Sequence, residues 1–87
     1  MHEAEEWLRK AIAIAARLGD EPNLAIDYNN LGLLYKARGQ FAEAEQWLRK
    51  ALALLEPKGP SETLETLRSN LAELERQKNE QPRPPSP

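Results

Sequence analysis

Hydrophobic residues recur three and four positions apart in four stretches of the chain, with charged residues between them. This spacing places the apolar side chains on one face of a helix. Residues that end helices separate the stretches: Gly19, Gly39 and the segment Pro57–Pro60. Asp20 and Ser61 stand where the side chain of an N-terminal cap is expected. We therefore predict four antiparallel helices and no strand, with helix boundaries at about 3–18, 22–38, 41–56 and 61–79.

The chain matches itself when it is shifted by forty residues. The segment Ala4–Ile14 falls on Ala44–Leu54, and Asn30-Leu31 falls on Asn70-Leu71, without any gap. A gapless internal match at a fixed period indicates a helical repeat protein, in which each unit packs on its neighbours. The second and third predicted helices then form one complete unit, and the first and fourth each form half of another.

The complete unit has a distinctive set of small, apolar and helix-ending residues: Tyr28, Leu31, Gly32, Tyr35, Ala44, Leu48, Ala51 and Pro57. In these residues it resembles the tetratricopeptide repeat. Tyr28 stands where the family usually has Trp, and Leu48 where it usually has Phe, so a large apolar group is kept at both positions. The forty-residue period, longer than the usual thirty-four, and the Leu18-Gly19-Asp20 junction are similar to the kinesin light chain and Leu-Gly-Asn-rich branches.

The resemblance implies an all-α fold, a short right-handed αα-superhelix formed by a TPR-like stack of four antiparallel helices. We predict one domain over residues 1–80, with a half repeat at 3–20, a full repeat at 21–58 and a C-terminal capping helix at 61–79. The capping helix has Arg68 and Glu75 where the second helix has Tyr28 and Tyr35, which predicts a polar outer face. Residues 81–87 contain four prolines and predict a disordered tail.

Gly32 lies between the inward-facing Leu31 and Tyr35 of the second predicted helix. A side chain at this position would hold the neighbouring helix away. We therefore predict that replacing Gly32 with Leu is severely destabilising, because the two helices could not approach.

The composition argues against several classes of function. Lys and Arg total 12 against 14 Asp and Glu, so the net charge of −2 argues against a nucleic-acid partner. The chain has no cysteine, no apolar run of membrane-spanning length and no signal-peptide pattern, so we expect a cytoplasmic protein without a membrane partner. It has no phosphate-binding loop and no nucleophile beside a base, so we predict no enzymatic activity, no cofactor and no metal site. The carboxylates alternate with Lys and Arg at helical spacing, which predicts solvent-facing ion pairs.

Asn30 and Asn70 occupy equivalent positions of the repeat, and each precedes a Leu that packs inward. One interpretation is a ladder of buried amides that binds the main chain of an extended peptide, as the resemblance implies for the two related branches. The other is that each amide fixes the stacking of neighbouring helices. The predicted peptide-binding groove comprises Asn29, Asn30, Leu33, Lys36, Asn70 and Glu73.

The two tryptophans differ in their predicted surroundings. Trp47 lies in a helix with neighbours on both sides, so we predict that it is part of the core. Trp7 lies on a helix whose preceding partner is not in this sequence, and its face carries Trp7, Ala11, Ile14 and Leu18. This face predicts either self-association into a homodimer or contact with a further helix of a larger tetratricopeptide repeat protein. The favoured function is binding of a protein or peptide partner, and a self-assembling scaffold is the alternative.

Overall fold

The computed structural model describes the backbone of residues 2–80 and the side chains of residues 3–79. This part of the chain forms four α-helices and no strand. The helices are α1 (His2–Leu18), α2 (Glu21–Ala37), α3 (Phe41–Leu55) and α4 (Glu62–Glu80), and a short 3-10 helix, Glu56–Lys58, follows α3. The all-α prediction and the four helices are confirmed, with boundaries that differ by one residue. The predicted tail, residues 81–87, lies outside the described residues.

Contacts between helix ends show that successive helices run antiparallel. Glu5, near the start of α1, pairs with Arg38 at the end of α2. Lys58, after the end of α3, pairs with Glu21 at the start of α2. Helices α1 to α4 therefore stack in chain order, and α2 also touches α4 across one face of the stack.

The helix ends follow the expected local chemistry. The carboxylate of Asp20 accepts a hydrogen bond from the backbone N–H of Asn23, and the Ser61 hydroxyl accepts one from the N–H of Leu64, so both predicted N-caps are confirmed. Gly39 has a φ of 80°, which L-residues with a side chain rarely adopt. This conformation lets the chain reverse between α2 and α3 within three residues.

The core lies between α2 and α3, which make the most extensive contact of any helix pair. Four leucine side chains are completely enclosed, one or two from each of the last three helices: Leu31, Leu48, Leu67 and Leu74. No buried polar or charged residue occurs among the described side chains. Burial of apolar surface therefore holds the stack together.

At Gly32 the backbone of α2 lies in tight contact with α3. A Cβ atom at this position would lie 3.1 Å from Cγ of Leu48 and 3.2 Å from the backbone oxygen of Ala44. Even one added carbon would therefore require Leu48 or the backbone of Ala44 to shift by a few tenths of an ångström, and a larger side chain would require more.

We predict that Gly32→Leu lowers the free energy of unfolding by about 1–3 kcal/mol, because the added side chain overfills the α2–α3 contact. The repeat provides a matched control at Ala72, which is the exposed equivalent of Gly32 in α4. Ala72→Leu should change the free energy of unfolding by less than about 0.5 kcal/mol. Urea denaturation followed by circular dichroism measures both, and equal midpoints for the two variants would contradict the packing described here.

Candidate functional site

A cluster of four side chains joins the start of α1 to the end of α2. Glu5 accepts hydrogen bonds from the hydroxyl of Tyr35 at 2.7 Å, from Nε of Arg9 at 3.1 Å and from Nη1 of Arg38 at 2.8 Å. The Tyr35 hydroxyl in turn accepts a hydrogen bond from Nη2 of Arg9 at 2.8 Å. Every polar group of the cluster therefore has a partner across the helix boundary.

These partners fix the charge of the carboxylate. Hydrogen bonds from Arg38, Tyr35 and Arg9, in that order of importance, lower the pKa of Glu5 from 4.5 to about 2. The hydrogen bond to Glu5 raises the pKa of Tyr35. A carboxylate held so firmly in the ionised form is a poor general acid or base near neutral pH. The cluster therefore joins helices and is not suited to proton transfer.

The same arrangement recurs forty residues later between α3 and α4. Nη2 of Arg49 lies 2.7 Å from Glu45 and 3.2 Å from Glu75, and Nζ of Lys78 lies 3.4 Å from Glu45. These four residues align with Glu5, Arg9, Tyr35 and Arg38 in the repeat. The pKa of Glu45 is lowered, chiefly by its hydrogen bond from Arg49. The sequence-based interpretation as ion pairs is therefore right, but these pairs also connect successive helices.

Two of the predicted groove residues, Asn29 and Asn70, lie where α2 and α4 meet. Nδ2 of Asn70 donates a hydrogen bond to Oδ1 of Asn29 over 2.9 Å, which ties α4 to α2. Asn30, predicted to be a buried equivalent of Asn70, is exposed. The expectation of two equally buried amides is therefore wrong, because Asn70 has an α2 neighbour while Asn30 faces solvent.

Leu33 and Lys36 follow Asn29 by four and seven residues, and Glu73 follows Asn70 by three, so helical spacing places them on the same faces of α2 and α4. Leu33 and Lys36 are half-buried on α2, and Glu73 is half-buried on α4. Glu73 accepts hydrogen bonds from Arg76 at 2.8 Å and from Gln77 at 3.4 Å. Glu73 also lines a shallow depression of about 320 Å³. The α2–α4 face thus combines an apolar side chain, free amide groups and both signs of charge.

The surroundings of the two tryptophans differ as predicted. Trp47 is half-buried and packs on the core, with its ring centroid 5.4 Å from that of Tyr28 at a tilt of 41°. Nζ of Lys50 lies 4.5 Å from the centroid of the Trp47 ring. Trp7 occupies the equivalent position of α1 and is 74% exposed.

A comparison with protein-family models decides the family, since the tetratricopeptide repeat model matches residues 1–56. The chain belongs to the tetratricopeptide repeat family. The matched region contains α1, α2 and α3, and α4 follows it. No curated protein and no solved structure matches the chain significantly.

Proteins of the tetratricopeptide repeat family generally act as protein-interaction modules and are typically non-catalytic. Among the described side chains, no group of three or more His, Cys, Asp or Glu residues could hold a metal ion. Within residues 2–80, no helix has both the length and the apolar character needed to cross a membrane.

Sequence reasoning did not identify the interhelical clusters around Glu5 and Glu45. The signal was present, because the forty-residue shift places Glu5, Arg9 and Arg38 on Glu45, Arg49 and Lys78. Residues of the same charge therefore recur at three positions whose side chains meet across a helix boundary. Tyr35 and Glu75 break this correspondence, and both contact the arginine of their cluster.

We predict that Glu5→Gln reduces stability at neutral pH and that its difference from the wild-type protein shrinks in acid. Because the pKa of Glu5 is lower in the folded chain than 4.5, its contribution is complete above about pH 4.5 and is lost as the pH falls toward about 2. Urea midpoints measured between pH 7 and pH 2 test this expectation.

The matched control is Glu6→Gln, which removes an exposed carboxylate from the same helix. Its urea midpoint should stay close to that of the wild-type protein at pH 7. If the two variants gave the same pH profile, the contacts of Glu5 would not be the cause.

Proposed function

We propose that this tetratricopeptide repeat protein is a non-catalytic module that binds a partner protein through an extended peptide lying along α2 and α4. The observation that carries the proposal is the Asn29–Asn70 hydrogen bond, which places amide side chains where α2 and α4 meet, with the exposed Asn30 next to Asn29 in the chain. An amide side chain has both donors and an acceptor, so it can bind the N–H and C=O groups of an extended main chain.

The amides on this face are unequally available. In their one hydrogen bond Asn70 uses a donor and Asn29 an acceptor, and both amides retain further hydrogen-bonding capacity for a ligand. Asn30 faces solvent, so all of its amide groups are accessible. We therefore assign the first contact with the peptide backbone to Asn30 and a secondary, positioning contribution to the Asn29–Asn70 pair.

Side-chain selectivity of the groove would come from its other residues. Leu33 offers an apolar contact, while Lys36 on α2 and Glu73 on α4 carry opposite charges. A peptide with a central apolar residue, an acid near Lys36 and a base near Glu73 fits this arrangement. The kinesin light chain branch, which the period resembles, supports the same mode of binding and is part of this proposal.

The test is a selection of peptides from a random display library against the folded chain, followed by affinity measurements with variants. We predict that Asn30→Ala weakens binding about 2- to 10-fold without changing the urea midpoint, because one hydrogen bond to an exposed amide is worth about 0.5–1.5 kcal/mol. Asn70→Ala should weaken binding and also lower stability, since it removes the partner of Asn29.

Gln46→Ala is the matched control, because Gln46 is an exposed amide on α3, away from the groove. The proposal requires that Gln46→Ala keep wild-type affinity. Peptides that bind equally well to the double variant Asn30→Ala/Asn70→Ala would contradict it.

A further inference from the structure

Exposed apolar side chains are concentrated on α1. Trp7 is 74% exposed, Ile14 56% and Leu18 73%, and Ile26 on α2 is the one other large apolar side chain exposed among the described residues. Trp7, Ala11, Ile14 and Leu18 are spaced four, three and four residues apart, so they form one stripe along the helix, called here the α1 stripe. This alternation of three and four is the spacing of helices that pair along their length.

The equivalent residues of α3 show how positions of the α1 stripe pack when another helix covers them. Trp47, the equivalent of Trp7, packs against the ring of Tyr28 on α2. Ala51, the equivalent of Ala11, is completely buried, and Leu54, the equivalent of Ile14, packs against the core. The equivalent of Leu18 is the exposed Lys58, so it is the part of the α1 stripe formed by Trp7, Ala11 and Ile14 that has the composition of a surface that packs on a helix.

Charged residues along one edge of the stripe indicate the direction of the covering helix. Glu3, Lys10 and Arg17 are seven residues apart and exposed, on the edge away from the buried Ala15. The edge is acidic at its start and basic at its end. An antiparallel second copy of α1 would place each Glu3 beside the other copy's Arg17, giving two complementary ion pairs.

We propose that α1 pairs with α1 of a second copy of this chain in an antiparallel, two-fold symmetric arrangement. In this register the Trp7 ring of each copy covers the small Ala11 side chain of the other, and Glu3 of each copy faces Arg17 of the other. A two-fold contact is self-complementary and closes at two copies. The pairing is independent of the α2–α4 groove.

Lys10 lies near the two-fold axis in this register and meets its own copy. An exposed like-charge pair is weakly unfavourable, whereas two Glu3–Arg17 pairs are favourable. The Lys10 ammonium also lies 6.0 Å from the centroid of the Trp7 ring, a position that directs it toward the aromatic face. The balance of charge along the edge therefore favours pairing.

Residues on α4 argue against open, head-to-tail association. A second copy's α1 could extend the stack only by packing on α4 as α3 packs on α2. The residues that receive α3 are Tyr28 and Gly32, and their equivalents on α4 are Arg68 and Ala72. Arg68 is engaged with Glu56 at 3.7 Å and Glu65 at 3.9 Å, and Ala72 adds the Cβ that Gly32 lacks.

Sedimentation equilibrium over a dilution series tests the proposal. The expected mass rises with concentration to twice the 9.9 kDa of the chain and no further. Trp7→Glu should weaken the dimer at least about tenfold, because a central aromatic residue dominates such a contact. Ile26→Glu is the matched control, since it places the same charge on an exposed apolar residue outside the stripe.

A charge exchange tests the antiparallel register. Glu3→Arg alone and Arg17→Glu alone should each weaken self-association about three- to tenfold. The double variant should recover wild-type association, and an equimolar mixture of the two single variants should form a heterodimer, because both pairings restore opposite charges. Circular dichroism and urea midpoints must show that each variant remains folded.

Four results would overturn the proposal. They are a mass of one chain at every concentration, masses that continue to grow beyond two chains, equal losses from Trp7→Glu and Ile26→Glu, and no recovery in the double charge variant. Two further measurements separate this surface from the groove. Trp7→Glu should keep its affinity for the peptide, and Asn30→Ala should keep its ability to dimerise.

Discussion

The close approach of α2 and α3 at Gly32 is the constraint on which the rest of the structure depends. With only a hydrogen atom at this position, the side chain of Leu48 and the backbone of Ala44 lie directly against α2. This contact sets the distance between the helices that enclose Leu31 and Leu48. The neighbouring Trp47–Tyr28 ring contact spans the same interface. The positions of α1 and α4 follow, because each packs on one member of this pair.

Electrostatics adds a second, repeated constraint at the outer boundaries of the pair. The Glu5 cluster joins α1 to α2, and the Glu45 cluster joins α3 to α4 with equivalent residues. The first includes the buried Tyr35, whereas the second has the exposed Glu75 in its place. The α1–α2 junction is thus more buried than the α3–α4 junction. Equivalent residues of the repeat therefore form interhelical contacts at two junctions that differ in burial.

The sequence predicted the fold because its signals are local or periodic. Helical spacing, the glycines and prolines at the turns, and the caps at Asp20 and Ser61 specify the helices without knowledge of the packing. The forty-residue match then specified the order of stacking. The exposure of Asn30 was mispredicted because it depends on which helices flank α2. Two residues at equivalent positions of a repeat can have different neighbouring helices. The contact of Asn70 with the side chain of Asn29 likewise depends on the α2–α4 approach.

We propose that this protein binds its partner through the α2–α4 face. Backbone amide chemical-shift mapping during titration with a selected peptide tests this proposal. We expect the largest shifts at Asn30, Leu33 and Lys36 on α2 and at Asn70 and Glu73 on α4, with α1 and the outer side of α3 little changed. Shifts confined to α1 or to the exposed side of α3 would contradict it.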